Sequence, residues 1–161
     1  MTYIGIDPGL TGAVAALSDA GRVLALADTP TLVVKSGDKE RRQYQLPEMV
    51  KLVLPFAHER DDACAALEAV NAFPGQGVTS MFRLGYGLGI WEGIVSALAI
   101  PVEKVQPALW KRTMLSGMGK EKFAALVKAQ QLFPTANLYH KRHEGRAEAL
   151  LIAEWLRRTR R

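Results

Sequence analysis

The first 28 residues constrain the fold more than any other stretch of the chain. Tyr3-Ile4-Gly5-Ile6 is a short apolar run that ends at Asp7-Pro8-Gly9, where proline and glycine mark a tight turn. Ala13 to Leu17 reads as a second strand, Asp19-Ala20-Gly21 as a hairpin turn, and Arg22 to Ala27 as a third strand. Three successive antiparallel strands exclude an all-helical fold.

Helices and further strands then alternate. Leu46 to Arg60 has apolar residues at helical spacing (Leu46, Met49, Val50, Val53, Leu54, Ala57), with Pro55 expected to kink or shorten the helix. Ala63 to Leu67, ended by Glu68, is most simply a central strand. Thr79 or Ser80 is placed to cap a long helix reaching about Ala99. Pro101 to Val105 reads as a strand; Pro107 to Leu115, Lys120 to Phe133 and Glu144 to Arg158 read as helices. The order implies an α/β fold, a mixed sheet with helices on its faces, in one domain spanning 1–161.

Three segments carry expectations of their own. The stretch 29–45, with Lys35, Lys39, Arg41 and Arg42, is expected to be a mobile basic loop, and 157–161 a basic tail. Gly85, Gly89 and Gly93 fall four apart in the long helix. Each costs about 1 kcal/mol against alanine, so the run suggests close approach of another backbone or helix.

Net charge is +5, and it is concentrated: from Lys141 to Arg161 seven basic residues stand against three acids. A basic face suits a polyanion such as nucleic acid. The single cysteine, Cys64, excludes an internal disulfide framework and reads as a small buried hydrophobe. The chain opens without a basic leader, and its most apolar stretch, Gly85 to Ile100, is shorter than a membrane span and contains Glu92. A soluble, cytoplasmic protein without membrane contact is expected.

Four acids stand where chemistry would place them. Asp7 and Glu68 each terminate an apolar strand, and neighbouring strands would bring both to one sheet edge. Glu144 and Glu148, four apart, lie only about 40° apart on one helix face. Such a like-charged pair is unfavourable unless a counter-charge or a metal sits between them. Clustered carboxylates suit Mg²⁺, a hard cation that takes oxygen ligands. His143 is an alternative ligand, proton carrier or phosphate donor. Lys111, Arg112, Lys120, Lys122, Lys141, Arg142 and Arg146 flank the acids as candidate phosphate contacts, and Phe73 could stack on an opened base.

These residues fall into three motifs that resemble the RuvC family of Holliday junction resolvases, in a branch found in phages and plastids. The first is Ile4-Gly5-Ile6-Asp7-Pro8-Gly9-Leu10-Thr11-Gly12-Ala13. The second is Glu68 with Phe73-Pro74-Gly75-Gln76-Gly77 and Ser80-Met81-Phe82; the third is Gly145-Arg146-Ala147-Glu148-Ala149-Leu150-Leu151-Ile152-Ala153. The resemblance implies an RNase H-like five-stranded mixed sheet, three antiparallel strands followed by parallel ones. It also implies two Mg²⁺ per site (Mn²⁺ able to substitute), paired symmetric nicks across a four-way junction, and a homodimer through helix 81–98. It carries the metal-ligand role onto Asp7, Glu68 and Glu148. The similar branch usually has aspartate four before the final acid, where Glu144 stands; much of the family has it three before, where Gly145 stands. Two other readings stay open. One is a branched-DNA-binding protein with weakened cleavage. The other follows from the likeness of Gly5 to Thr11 to the first phosphate loop of actin-like ATPases and sugar kinases, although no second copy of that loop is present.

Overall fold

A computed structural model describes residues 1–37, 39–57, 62–69, 71, 74–119 and 123–160. Its main sheet has five strands in the order β3-β2-β1-β6-β7. Strands β1 (Thr2–Asp7), β2 (Ala13–Ser18) and β3 (Val23–Asp28) are antiparallel neighbours. Strands β6 (Ala63–Glu68) and β7 (Val102–Val105) continue the sheet in parallel, β6 beside β1 and β7 beside β6. The mixed five-stranded sheet, three antiparallel strands and then parallel ones, matches the sequence reading.

The central strands are buried on both faces, which is why they read as unbroken apolar runs without polar alternation. Side chains alternate between two cores. Tyr3, Ala13, Ala15, Leu17, Cys64 and Ala66 point to one face, against helices α3 (Pro107–Met114), α4 (Ala124–Leu132) and α5 (Glu144–Thr159). Ile4, Ile6, Val14, Ala16, Ala65 and Leu67 point to the other, against α1 (Leu46–Val53) and α2 (Val78–Ala97). Cys64 is buried and unpaired, as its setting suggested.

Helix α5 lies against the sheet at backbone contact distance. A Cβ on Gly5 would collide with Ala149 O and Ala153 N, and one on Gly145 would collide with Thr11 O. These two glycines let the helix descend onto β1 and the turn after it. No other residue type permits that approach.

Three expectations need correction. The segment 29–45 is not a loop: β4 (Thr31–Ser36) and β5 (Lys39–Tyr44) form an antiparallel hairpin that turns at Gly37, φ 61°. Its second strand, Lys-Glu-Arg-Arg-Gln-Tyr, has no apolar alternation because it is exposed, apart from Tyr44. Backbone pairing and the buried Tyr44, whose hydroxyl donates to Pro8 O at 3.2 Å, hold it in place. The end of the chain is not simply a tail either. Helix α5 runs to Thr159, Arg157 and Arg158 both pair with buried Glu154, and Arg160 pairs with Glu103 at 2.9 Å; Arg161 lies outside the described residues. Finally, α2 starts at Val78 with Gly77 as its cap residue, and neither Thr79 nor Ser80 caps it.

Proline acts as expected in the first helix: α1 ends at Val53 and a 3₁₀ turn, Leu54–Phe56, follows. Gly85, Gly89 and Gly93 have nothing within 4 Å of a Cβ, so no element among the described residues packs on them. Among the described residues no helix is long and apolar enough to cross a membrane.

Candidate metal centre

Asp7 is the last residue of β1 and Glu68 the last of β6, and the two strands run side by side in parallel with Ile6 opposite Leu67. Both carboxylates therefore leave the sheet at the same edge. Glu148 comes from the second turn of α5, which Gly5 and Gly145 let down onto that edge. Oxygens of Asp7, Glu68 and Glu148 lie within 4.8 Å of one another. Three carboxylates this close repel one another unless a proton or a cation offsets their charge.

The chain supplies part of that charge. Lys111 Nζ lies 2.7 Å from Glu148 Oε1 and 5.0 Å from the centre of the Trp110 ring. Trp110, fully buried, donates its indole N–H to Glu68 Oε1 at 2.9 Å. The Gly9 amide donates to Asp7 Oδ1 at 3.3 Å. These contacts do not neutralise the cluster. Burial, then the charges of Glu148 and Glu68, push the Asp7 carboxyl up to about 7, with Gly9 and Lys111 only partly offsetting them. Burial and Glu148 likewise raise Glu68. The same acids work in reverse on Lys111: burial would lower its pKa, but the hydrogen bond and charge of Glu148, with Glu68 and Asp7 behind, hold it above the usual ammonium range.

Glu144 and His143 stand outside the group of three. Glu144 lines a cleft of about 650 Å³ together with Glu148, Lys111 and Arg112, beside the acids. His143 is buried and lines a different cleft, with Arg142 and Arg146. Burial and the Arg146 charge hold its imidazole below the ordinary pKa. Gly145 cannot be replaced by a ligand here, since any side chain would meet Thr11 O.

The expected phosphate contacts divide. Arg112, Lys141 and Arg142 are exposed. Lys111 is engaged with Glu148, and Arg146 is held by Asp28 in a two-pronged pair of 2.6 and 2.8 Å. Phe73, Lys120 and Lys122 lie outside the described residues. Trp110 and Tyr44, which fasten Glu68 and the Asp7 turn, were not singled out from the sequence. The polar end of a tryptophan on a helix beside a strand-end acid is the signal that would have found the first; the second has none.

The donor set is all carboxylate oxygen, the chemistry that Mg²⁺, Mn²⁺ or Ca²⁺ prefers, and burial together with mutual repulsion raises the Asp7 and Glu68 carboxyls.

No protein-family model matches the chain. Over 91 residues, 55% of its length, the chain is 33% identical to the chloroplastic Holliday junction resolvase MOC1 of Chlamydomonas reinhardtii. It spans about a tenth of that relative's length. Two Thermus thermophilus RuvC structures share its fold. One, in complex with a Holliday junction substrate, superposes with a TM-score of 0.67 at 19% identity, covering 99% of this chain and 95% of that one. The other gives 0.60 at 16% identity, covering 99% and 96%. The chain therefore has the RuvC fold, an RNase H-like mixed sheet, and shares sequence with a Holliday junction resolvase.

Proposed function

We propose that the chain is a structure-selective DNA endonuclease that resolves four-way junctions by paired symmetric nicks, using divalent metal held by Asp7, Glu68 and Glu148. The observation that carries this reading is the convergence of three carboxylates from separate elements, within 4.8 Å, on the RuvC fold. Glu144 is the fourth ligand, because it shares the cleft of Glu148 whereas His143 opens elsewhere. Two Mg²⁺ ions, or Mn²⁺, would supply Lewis acidity and an activated water for phosphodiester hydrolysis.

The chain's own residues would do the rest. Asp7 and Glu68, on adjacent strand ends, form the rigid part of the site, and Trp110 fixes the Glu68 carboxylate. Lys111 relieves the acids when no metal is bound and is free to turn toward a phosphate when one is. Exposed Arg112, Lys141 and Arg142 would hold the DNA backbone together with Lys120 and Lys122, and Phe73 would stack on an opened base, the last three lying outside the described residues. An apolar groove on α2, lined by Gly89, Ile90, Gly93 and Ile94, supports a homodimer through helix 81–98 that would place two sites on one junction.

Incubation with a synthetic four-way junction in Mg²⁺ or EDTA tests the reading. Paired nicks in Mg²⁺ and binding without cleavage in EDTA are expected. Junction binding with no nicks in either Mg²⁺ or Mn²⁺ would favour the branched-DNA-binding alternative, whose support is the glutamate at 144 where the similar branch usually has aspartate.

A further inference from the structure

A second cleft, of about 500 Å³, opens between the β4–β5 hairpin and the start of α5. Its walls include Thr11, Thr29, Arg42, Arg142, His143 and Arg146, and it shares no lining residue with the cleft of Glu144 and Glu148.

Two side chains here are in an unfavourable state. Thr29 and His143 are each only 4% exposed, yet Thr29 Oγ1 and His143 Nδ1 have no hydrogen-bond partner among the described residues. Both can donate, the imidazole in one of its neutral tautomers. Neither is free to leave. The Thr29 amide is bonded to Gly12 O at 2.9 Å, and the His143 amide to His140 O at 2.9 Å, with the two histidine rings edge to face.

The surrounding charge selects what would satisfy them. Asp28, an acid of the cleft wall, is already taken up by Arg146. Arg42 and Arg142 are exposed and have no ion pair among the described residues. Two buried donors and two unpaired guanidiniums disfavour a cation and leave a neutral ligand uncompensated. A tetrahedral oxyanion meets both needs.

We propose that this cleft is a phosphate-binding site, independent of metal and separate from the carboxylate cluster, in which Thr29 and His143 turn their unpaired, buried side-chain groups into the cleft to donate to phosphate oxygens and Arg42 and Arg142 close over the charge. The phosphate belongs either to a DNA strand or to a free phosphate ion; only the first source rests on the nuclease reading.

Two measurements on the full chain in EDTA test it. In the first, inorganic phosphate is titrated while the His143 ring resonances are followed by NMR. The wild-type resonances should shift saturably, and Thr29→Val should weaken that response roughly tenfold, the loss of one hydrogen bond to a charged group. Thr29→Val removes a buried unpaired hydroxyl, so without phosphate it should melt no lower than wild type, which separates lost binding from lost folding. In the second, four-way junction affinity is measured across a KCl series. Arg42→Gln should lower the salt slope by about 1 if the phosphate is a DNA phosphodiester. A resonance shift with an unchanged slope supports the site and assigns it to free phosphate. No resonance shift overturns the proposal, whatever the slope does, because Arg42 would then act as an ordinary surface charge. If the wild type binds no junction at all, the nuclease reading fails, and the phosphate titration still decides this one.

Discussion

The Lys111 ammonium lies 2.7 Å from the Glu148 carboxylate and stands as the internal counter-cation of the Asp7–Glu68–Glu148 cluster. A lysine that the sequence suggests as a phosphate contact thus works, without metal, inside the acidic site. Lys111→Gln should lower the melting temperature in EDTA. The pair is partly exposed, so a loss of about 1 kcal/mol is expected, or about 2–4 °C for a chain of this size. Mg²⁺ should stabilise this variant more than wild type, because nothing then competes for the carboxylates. An equal temperature drop with and without Mg²⁺ would reduce Lys111 to a surface pair.

Burial and the neighbouring acids raise the Asp7 carboxyl from 3.8 to about 7. In EDTA the folded chain then holds a proton on Asp7 that the unfolded chain releases near pH 4. Its stability should fall as pH rises from about 4 to about 7 and level off above. Metal binding must expel that proton, so Mg²⁺ affinity should climb through the same window with measurable proton release. Asp7→Asn should flatten the stability profile and raise the melting temperature of the metal-free protein at pH 8. The same variant should lose nicking by on the order of 10²–10³-fold while still binding junctions. Parallel melting curves for wild type and Asp7→Asn from pH 4 to 8 would contradict the assignment.

Gly5 decides how near α5 comes to the sheet, and hence how near Glu148 comes to Asp7. Gly5→Ala forces the helix backbone outward, because the obstructing atoms are Ala149 O and Ala153 N and not a flexible side chain. A loss of roughly 3 kcal/mol or more is expected, at the upper end for overpacking. Mg²⁺ affinity, measured by calorimetry on whatever folded protein remains, should fall as well. Unchanged metal affinity in a folded variant would show that the helix position does not set the site.

Glu154 is almost fully buried and accepts hydrogen bonds from Arg157 at 2.7 and 2.8 Å and from Arg158 at 2.7 Å. Burial by itself would raise its pKa, but the two guanidiniums outweigh that and hold it below the ordinary value. Its contribution is present above pH 4.5 and is lost as pH falls through the lowered value. Glu154→Gln should cost about 3 kcal/mol at pH 7, since it strands two arginines, one of them largely buried. Chemical denaturation at pH 7 checks the figure; a loss below about 0.5 kcal/mol, the level of an ordinary surface substitution, would mean that the arginines find solvent instead.

The sheet was legible because its central strands are short, apolar and punctuated by turns, and local pattern suffices for such elements. Asp7 and Glu68 were legible for the same reason: an acid that ends a buried strand is visible in one dimension, and parallel neighbours bring two such ends together. By helical spacing alone Glu148 was one of a pair with Glu144, and only the motif resemblance ranked it first. What separates them is the descent of α5 onto Gly5 and Gly145, which brings one glutamate among the other acids and leaves its partner in the adjoining cleft. The hairpin 31–44 had no apolar alternation to reveal it, because pairing of exposed strands depends on backbone bonds that side-chain identity does not encode. The basic residues showed their number but not their use. Whether an arginine meets DNA, a buried glutamate or Asp28 depends on which acids the fold brings within 3 Å of it, and contacts spanning more than a hundred residues, such as Arg146 with Asp28, exist only after the chain has folded.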